Sequence, residues 1–110
     1  IIEFNQTNNT TVYTDKVKVE CAITNIIFNA LDAKAKEIII ETKDNAIVIK
    51  NNGEKISEEN QNKIFEEHFT TKEKGNGLGL SFCKKQLQLA GGDLNFVSSN
   101  DNATVFEIKL

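Results

Sequence analysis

The feature that most restricts the fold is a change in the spacing of apolar residues between neighbouring segments. From about Lys16 to Lys36, apolar residues recur at intervals of three and four, as they do on one face of a helix. The next two apolar runs, EIIIET and NAIVIK, are typical of strands joined by a tight turn at Lys43-Asp44. A long amphipathic helix beside such strands predicts a sheet with helices on one face. The predicted apolar face of the helix contains Val19, Ala22, Ile23, Ile26, Ile27 and Ala30.

The remaining segments extend this pattern at both ends of the chain. IIEF and TVYTD are predicted as short strands around a polar loop at residues 5–10. Ser57 is a candidate N-cap for a helix that runs to about Glu67, with two glutamates in its first turn. A further helix is predicted from about Leu78 to Ala90 and ends at Gly91-Gly92.

DLNFVSS and ATVFEIKL close the chain as a hairpin whose turn residues are Asn100, Asp101 and Asn102. The expected fold is therefore α+β. It is a two-layer α/β sandwich in which a mixed, mostly antiparallel sheet is covered on one face by about three helices.

Length and charge exclude several classes of protein. The 110 residues predict a single domain, and 39% hydrophobic with 26% charged residues predict a folded one. A net charge of −3 gives no indication of a basic face and argues against nucleic acid as a partner, and no apolar run approaches a membrane span. Because the chain begins at Ile1 rather than Met, we interpret it as a domain cut from a longer protein. Cys21 and Cys83 are expected to be reduced core residues, which indicates a cytoplasmic location.

A polar row lies beside the apolar face of the first helix. Asn25 and Asn29 are four residues apart and share a face, which Lys18 begins and which Asp32 and Lys36 continue. An amide oxygen is a suitable ligand for Mg²⁺ beside phosphate oxygens. The competing interpretation is that two asparagines merely face solvent.

Two further short segments have a structural and a functional interpretation. Asn51-Asn52-Gly53 can be an ordinary turn, or Gly53 can admit a flat ligand to the backbone while Asn51 hydrogen-bonds it. The single histidine, His68, lies between Phe65 and Phe69 with no base-orienting partner beside it, so packing or surface exposure explains it best.

The stretch GNGLGLSFCKK places three glycines at alternate positions directly before a helix. Either it is a loop with a cap, or it leaves helix amides bare for a phosphate. No Lys-Ser/Thr pair follows, so it is not a Walker A loop, and no strand precedes it, so it is not a dinucleotide-binding fingerprint.

The order of these segments is more specific than any one of them. The chain resembles the ATP-binding catalytic domain of two-component sensor histidine kinases, a Bergerat-type fold of the gyrase, Hsp90 and MutL superfamily. The resemblance covers residues from about 15 to 110. It rests on TNIIFNALDA as the asparagine box, IKNNGEKI as the first glycine box, IFEEHFTTK as the phenylalanine box, GNGLGLSFCKK as the second glycine box, and ATVFEIKL as the closing strand.

The resemblance implies a role for each matching position. Asn29 would be the principal Mg²⁺ ligand with Asn25 nearby, Asn51 would face the adenine amino group, Gly53 would leave room for the base, and Thr104 would support the pocket. Thr70 to Asn76 would form a short lid over ATP. The further nucleotide-binding residues implied are Asp32, Lys36, Ile56, Phe69, Thr71, Lys72, Lys74, Gly75, Asn76, Gly77, Leu78, Gly79 and Leu80.

Four positions depart from the family pattern. The usual aspartate of the first glycine box is Asn51, and the second glycine of that box is Lys55. Asn102-Ala103 replaces the glycine of the last box, and His68 stands where the family often has phenylalanine. An uncharged acceptor makes a weaker hydrogen bond than a carboxylate, so these changes bear on ATP affinity more than on fold.

The implied reaction is transfer of the γ-phosphate of Mg·ATP to a histidine on a separate dimerisation domain, and from there to the receiver domain of a response regulator. The full-length protein would be a homodimer and the isolated domain a monomer that cannot autophosphorylate. Asn25 stands where ATPases of the superfamily carry a glutamate that activates water, which argues against efficient hydrolysis. Three alternatives stay open: a switch-type ATPase, an anti-sigma-type protein-serine kinase, and a non-catalytic module that binds only partners.

Overall fold

The computed structural model describes residues 2–6, 15–43, 45–66 and 79–110, with the backbone alone described for residues 2–6. The strands are β1 (Ile2–Gln6), β2 (Ile38–Lys43), β3 (Ala46–Asn51), β4 (Asp93–Ser99) and β5 (Thr104–Lys109). The helices are α1 (Lys16–Asp32), α2 (Glu58–Gln61) and α3 (Gly79–Leu89).

The strands form one five-stranded sheet in the order β1-β2-β3-β5-β4. β1 runs parallel to β2, and the other three pairings are antiparallel. The predicted α+β class and the mixed, mostly antiparallel sheet are therefore confirmed. No helix in the described part of the chain is long and apolar enough to cross a membrane.

The core lies between one face of the sheet and the helices α1 and α3. A row of paired residues crosses the middle of this face: Ile40 pairs with Ile49, Ile49 with Phe106, and Phe106 with Phe96. Such rows share a face because directly opposite residues in an antiparallel sheet point the same way. Helix α1 packs against them through Val19, Ala22, Ile26 and Ala30, which are all buried, as its apolar spacing predicts.

Helix α1 ends four residues earlier than predicted, at Asp32 instead of about Lys36. The N–H of Lys34 donates to the Leu31 carbonyl (3.0 Å), and the N–H of Ala35 donates to the Ala30 carbonyl (3.0 Å). This bonding pattern is a Schellman motif, and Lys34 occupies its left-handed position with a φ of 63°. The prediction failed because glycine usually marks that position, and lysine gives no such signal.

Three other predicted boundaries change. Asp15 is not in a strand but caps α1, since its side chain accepts hydrogen bonds from the N–H groups of Val17 and Lys18. Ser57 caps α2 as predicted, but α2 ends at Gln61 and not near Glu67. After α2, the N–H of Lys63 donates to the Asn60 carbonyl and the N–H of Glu66 donates to the Lys63 carbonyl, which are turns and not helical bonds. Ile64 is the one fully buried residue among 62–66, so this segment has no buried apolar face of the kind that stabilises a longer helix. Lys43, predicted as a turn residue, is the last residue of β2 and pairs with Ala46, and the other predicted turn residue, Asp44, lies outside the described residues.

Helix α3 ends with a second Schellman motif, in which Gly91 has a φ of 89° and the N–H of Gly92 donates to the Leu87 carbonyl (2.8 Å). The Lys84 ammonium then ties α3 to β4 through Asp93 Oδ1 (2.9 Å) and the Leu94 carbonyl (2.8 Å). Burial acts to raise the pKa of Asp93, but the hydrogen bonds from Lys84, the Leu94 N–H and Gln88, together with the charge of Lys84, outweigh it and the pKa is lowered. These contacts fix the position of α3 on the sheet, and with it the position of the first turn of the helix.

Candidate functional site

One end of the helix-facing sheet surface carries polar side chains in place of apolar ones. Asn51, the last residue of β3, pairs with Thr104, and Thr104 pairs with Ser99 at the end of β4. Asn51 is 6% exposed and Thr104 is 3% exposed. Buried polar groups need hydrogen-bond partners, so the side chains of this row bond either to other groups of the protein or to a ligand. It brings together two of the residues that the resemblance assigned to the adenine pocket.

A β-bulge sets which serine joins this row. The pairing of β4 with β5 shifts between Phe96 and Ser98, so Val97 is an extra residue and is 57% exposed. Without the bulge, strict alternation would have put Ser98 on the same face as Phe96. With it, Ser99 lies opposite Thr104.

Ser99 connects this row to the loop after β3. Its hydroxyl lies 2.6 Å from the Thr104 hydroxyl and accepts a hydrogen bond of 2.9 Å from the Ile56 N–H. Ile56, half-buried, also packs against the core. Ser99 was not predicted as a site residue, because its position opposite Thr104 follows from the bulge and not from the alternation of residues.

The packing around residue 53 requires glycine whether or not a base binds there. The Asn51 Oδ1 atom accepts a hydrogen bond of 2.9 Å from the Gly53 N–H, and the Glu54 N–H donates to the Ala33 carbonyl (2.8 Å) at the end of α1. A Cβ atom at residue 53 would lie 2.8 Å from that carbonyl oxygen and 3.0 Å from Asn51 Oδ1. Glycine here holds the loop against the C-terminal end of α1.

Asn52 joins the same loop to the segment that follows α1. Its side-chain oxygen accepts hydrogen bonds from the N–H groups of Lys36 and Glu37, both 2.9 Å long. Lys36 therefore lies beyond the end of α1, and the prediction that it continues the polar row of the helix was wrong. It stays near the first glycine box through its hydrogen bond to Asn52. Asp32 is the exposed last residue of α1.

Asn25 and the beginning of α3 meet at the second part of the site. A Cβ atom at residue 79 would lie 3.1 Å from Asn25 Oδ1, so the backbone of Gly79 passes directly beside this amide oxygen. The Asn25 Nδ2 atom donates to the Cys83 sulfur (3.0 Å), one turn further along α3, and to the Cys21 carbonyl (3.1 Å) on α1. These bonds fix the side chain with its oxygen towards Gly79, at the first turn of α3.

Asn29 lies one turn along from Asn25 on α1 and is half-buried, as is Leu80 in the first turn of α3. Leu80 packs against the hydrophobic core. The first amides of a helix have no partner within the helix, and its N-terminus favours negative charge. An amide oxygen and a helix N-terminus are therefore adjacent, an arrangement that can hold a phosphate and its cation.

The donor set fits Mg²⁺ only together with a phosphate ligand. Among residues 15–43, 45–66 and 79–110, no three His, Cys, Asp or Glu side chains are grouped so as to hold a metal ion. Two neutral amide oxygens are few ligands for a divalent cation, but Mg²⁺ often keeps waters and takes substrate phosphates as further ligands. Asn25 and Asn29 suit that kind of site.

Several predicted site residues lie outside the residues that the structure describes. These are Phe69, Thr71, Lys72, Lys74, Gly75, Asn76, Gly77 and Leu78, together with His68. Lys55, one of the departures from the family pattern, has an exposed ammonium 3.9 Å from Asp101 Oδ1. Two of the departures are thus adjacent, because Asp101 precedes Asn102-Ala103 in the β4–β5 loop.

The chain was also compared with known proteins. Residues 14–110 match the family described as "Histidine kinase-, DNA gyrase B-, and HSP90-like ATPase". The chain belongs to this family. The domain is 28% identical to sporulation kinase C of Bacillus subtilis, covering 97% of this chain and 26% of that kinase. It is 36% identical to the histidine-protein kinase ArlS of Staphylococcus aureus, covering 70% of this chain and 19% of ArlS. This ATP-binding domain thus spans about a quarter or less of the length of these relatives.

Solved structures agree with the family assignment. The catalytic domain of the histidine kinase ThkA superposes with a TM-score of 0.74 at 30% identity, covering 98% of this chain and 77% of that one. The mycobacterial sensor histidine kinase MprB, at 22% identity and a TM-score of 0.69, shares the fold. The resemblance predicted from the sequence is therefore confirmed.

The two cysteines of the domain should differ strongly in reactivity. Cys21 is exposed, contrary to its predicted core position, whereas Cys83 is buried. Burial and the neighbouring Cys21 thiol raise the pKa of Cys83 to about 11, against a weaker lowering by the Asn25 hydrogen bond. At pH 8 only about one Cys83 in a thousand is then a thiolate, and the thiolate is the reactive form.

We expect Ellman's reagent to modify Cys21 quickly and Cys83 at least about 100-fold more slowly in the folded domain. Both should react quickly in concentrated guanidinium chloride. The Cys21→Ser variant should contain only the slowly reacting thiol, that of Cys83. Equal rates for both thiols in the folded domain would contradict the placement of Cys83 under Asn25.

Proposed function

We propose that this domain binds Mg·ATP and donates the γ-phosphate to a histidine on a separate dimerisation domain. The parent protein would be a sensor kinase of a two-component system. The observation that carries the proposal is the contact of Asn25 with Gly79, because it puts an amide oxygen beside the N-terminus of α3. The relative named as a signal transduction histidine-protein kinase supports the same reaction.

The adenine base would lie at the polar end of the sheet. Asn51 and Thr104 are buried there on adjacent strands, and the Ser99 hydroxyl ties the β4–β5 hairpin to Ile56. Asn51 would contact the edge of the base, and Thr104 would support the pocket. The described part of the site thus has a separate region for each end of a nucleotide.

The phosphates would lie between α1 and α3. Asn29 and Asn25 would hold Mg²⁺ through their amide oxygens, and the amides of Gly79 and Leu80 would face phosphate oxygens. Bound Mg²⁺ would neutralise charge on the phosphates during transfer. The hydrogen bonds from Asn25 Nδ2 to Cys21 and Cys83 orient the amide oxygen before any ligand arrives. From the sequence, Thr70 to Asn76 would close over the phosphates, with Lys72 or Lys74 reaching them.

Transfer to a protein side chain is favoured over hydrolysis. Asn25 stands where ATPases of the superfamily carry a glutamate, and because asparagine cannot accept a proton from water, that position supplies no general base. The nucleophile would then be a histidine imidazole brought in line by another domain. His68 belongs to the phenylalanine box and is not proposed as the phosphoacceptor.

The parent kinase would act as a homodimer through that histidine-bearing domain. Its phosphate would pass to an aspartate on the receiver domain of a response regulator. The ATP-binding domain itself would be a cytoplasmic monomer that touches neither nucleic acid nor membrane.

Calorimetric titration of the domain with ATP, with Mg²⁺ and with EDTA, tests the metal assignment. We expect the Asn29→Ala variant to lose at least about tenfold in affinity with Mg²⁺ present, equivalent to about 1.4 kcal/mol. The loss should be small in EDTA, because the removed oxygen would act through the metal. The matched control is Thr24→Ala, an exposed position on the same helix.

Each result separates the candidate functions. Binding that is insensitive to Mg²⁺ and to the variant would leave base recognition standing and remove the metal site. Absence of binding by the folded domain, with no rise in its melting temperature at saturating Mg·ATP, would favour a module that binds only partners. Steady ATP turnover would favour the switch-type ATPase, and acid-stable phosphate on a partner would favour a serine kinase.

A further inference from the structure

Within the nucleotide site proposed above, on which this inference rests, the Asn51 side chain can present either a hydrogen-bond donor or an acceptor to the base. An asparagine side chain has one accepting oxygen and one donating nitrogen, whereas an aspartate has two accepting oxygens. Which end of the amide faces the ligand therefore decides which base edge it can recognise.

The oxygen of Asn51 is already engaged inside the protein. Oδ1 accepts the Gly53 N–H at 2.9 Å, in a loop that is also held by the Glu54 N–H on the Ala33 carbonyl. Rotating the amide by half a turn would place its NH₂ group against the Gly53 N–H, donor against donor. The amide orientation is thus set by the backbone and not by the ligand.

The nitrogen of Asn51 lacks a partner among the described residues, where the bond from Gly53 is the side chain's one hydrogen bond. The residue is 6% exposed, yet its nitrogen is not one of the fully buried side-chain atoms without a partner in the described part of the chain, so a ligand can reach it. The hydroxyl of Thr104, directly opposite in the sheet, is bonded to Ser99 Oγ at 2.6 Å. A donor that has no partner in the protein and remains accessible is available to an acceptor from a ligand.

An aspartate at residue 51 would behave differently. One oxygen would accept the Gly53 N–H, and the other would accept a hydrogen bond from a 6-amino group such as that of adenine. In this chain the second atom is a donor, which opposes the N–H groups of a 6-amino purine. A 6-oxopurine presents a carbonyl oxygen at the same position.

We propose that Asn51 is the specificity-determining residue for the base, and that it makes the site accept 6-oxopurine nucleoside triphosphates at least as well as ATP. The phosphates would bind in the same way for all purines, at α3 and the asparagines of α1. The discrimination between the 6-amino and 6-oxo groups would arise from the hydrogen bond at Asn51.

Competition against a fluorescent ATP analogue, with Mg²⁺ present, tests this by comparing the dissociation constants of ATP, ITP and GTP. ITP is the sharpest probe because it carries the 6-oxo group without the 2-amino group of guanine. We expect wild-type domain to bind ITP at least as tightly as ATP. The Asn51→Asp variant should bind ATP at least about tenfold more tightly than ITP, since a good base contact discriminates by that order.

Asn52→Asp is the matched control. It adds the same charge one residue away and keeps the acceptor for the Lys36 and Glu37 N–H groups, so its ITP-to-ATP ratio should equal that of wild type. A tenfold preference of the wild-type domain for ATP over ITP would overturn the inference while leaving the nucleotide site intact. Failure of the folded domain to bind any of the three nucleotides would instead overturn the proposed function. The wild-type ratio decides the matter even if Asn51→Asp does not fold.

Discussion

Gly92→Ala is expected to lower the free energy of unfolding by about 3 kcal/mol, at the upper end of the usual cost of overpacking. A Cβ atom at residue 92 would collide with the carbonyl oxygen of Lys109 and lie 3.1 Å from its carbonyl carbon. Neither side can move easily. Gly92 donates its N–H to Leu87 (2.8 Å), and Lys109 is paired with both Ala46 and Asp93 in the sheet. Urea unfolding monitored by circular dichroism measures the change.

The neighbouring Gly91→Ala is the matched control, because a Cβ atom there would meet nothing within 4 Å. Its φ of 89° makes alanine strained, at a cost of about 1 kcal/mol. We therefore expect Gly92→Ala to be clearly more destabilising than Gly91→Ala. The reverse order would show that the end of α3 does not lie against β5 as described.

Gly53→Ala should affect both stability and nucleotide binding. Its Cβ would lie 2.8 Å from the Ala33 carbonyl oxygen and 2.9 Å from Ala33 Cβ, so the loop after β3 must move away from α1. We expect a loss of about 2 kcal/mol in the free energy of unfolding. We also expect weaker nucleotide binding, because the same movement breaks the bond of Gly53 to Asn51. Urea unfolding and nucleotide titration at low temperature, where the variant stays folded, measure the two effects.

Glu54→Ala is the control for this variant. It retains the Glu54 N–H on the Ala33 carbonyl and loses only an exposed ion pair of 3.7 Å with Lys34, for which less than about 1 kcal/mol is expected. Unchanged stability of Gly53→Ala combined with lost nucleotide binding would mean that the glycine serves only to admit the base. Unchanged stability and binding together would contradict the described packing of this loop.

Helix termination shows how far local sequence signals reach. The two long helices end in the same hydrogen-bonding motif, one with Gly91 and one with Lys34 in the left-handed position. Glycine is free to adopt a positive φ, so the end of α3 was correctly predicted at Gly91-Gly92. Lysine adopts this conformation only because the chain must turn towards β2, and the predicted end of α1 was therefore late.

In the candidate site, too, some relations between residues could be predicted from the sequence and others could not. The sequence predicted that Asn25 and Asn29 share a face of α1, and that residue 51 ends a strand, because these relations follow from helix and strand periods. It indicated nothing about Cys83 supporting Asn25, since that contact joins residues 58 apart. It also missed Ser99, whose pairing with Thr104 depends on the bulge at Val97.

The sequence by itself determined the fold class, the order of elements and the family, because apolar periodicity and the spacing of the boxes are local properties of the chain. The tertiary structure decided which atoms of those boxes face a ligand. Asn51 turns its oxygen to the Gly53 N–H in the loop after β3, and Asn25 turns its oxygen to Gly79 because Cys83 from another helix accepts the hydrogen bond of its nitrogen. An amide has two chemically different ends on one rotatable bond, so only its surroundings can fix which end is presented.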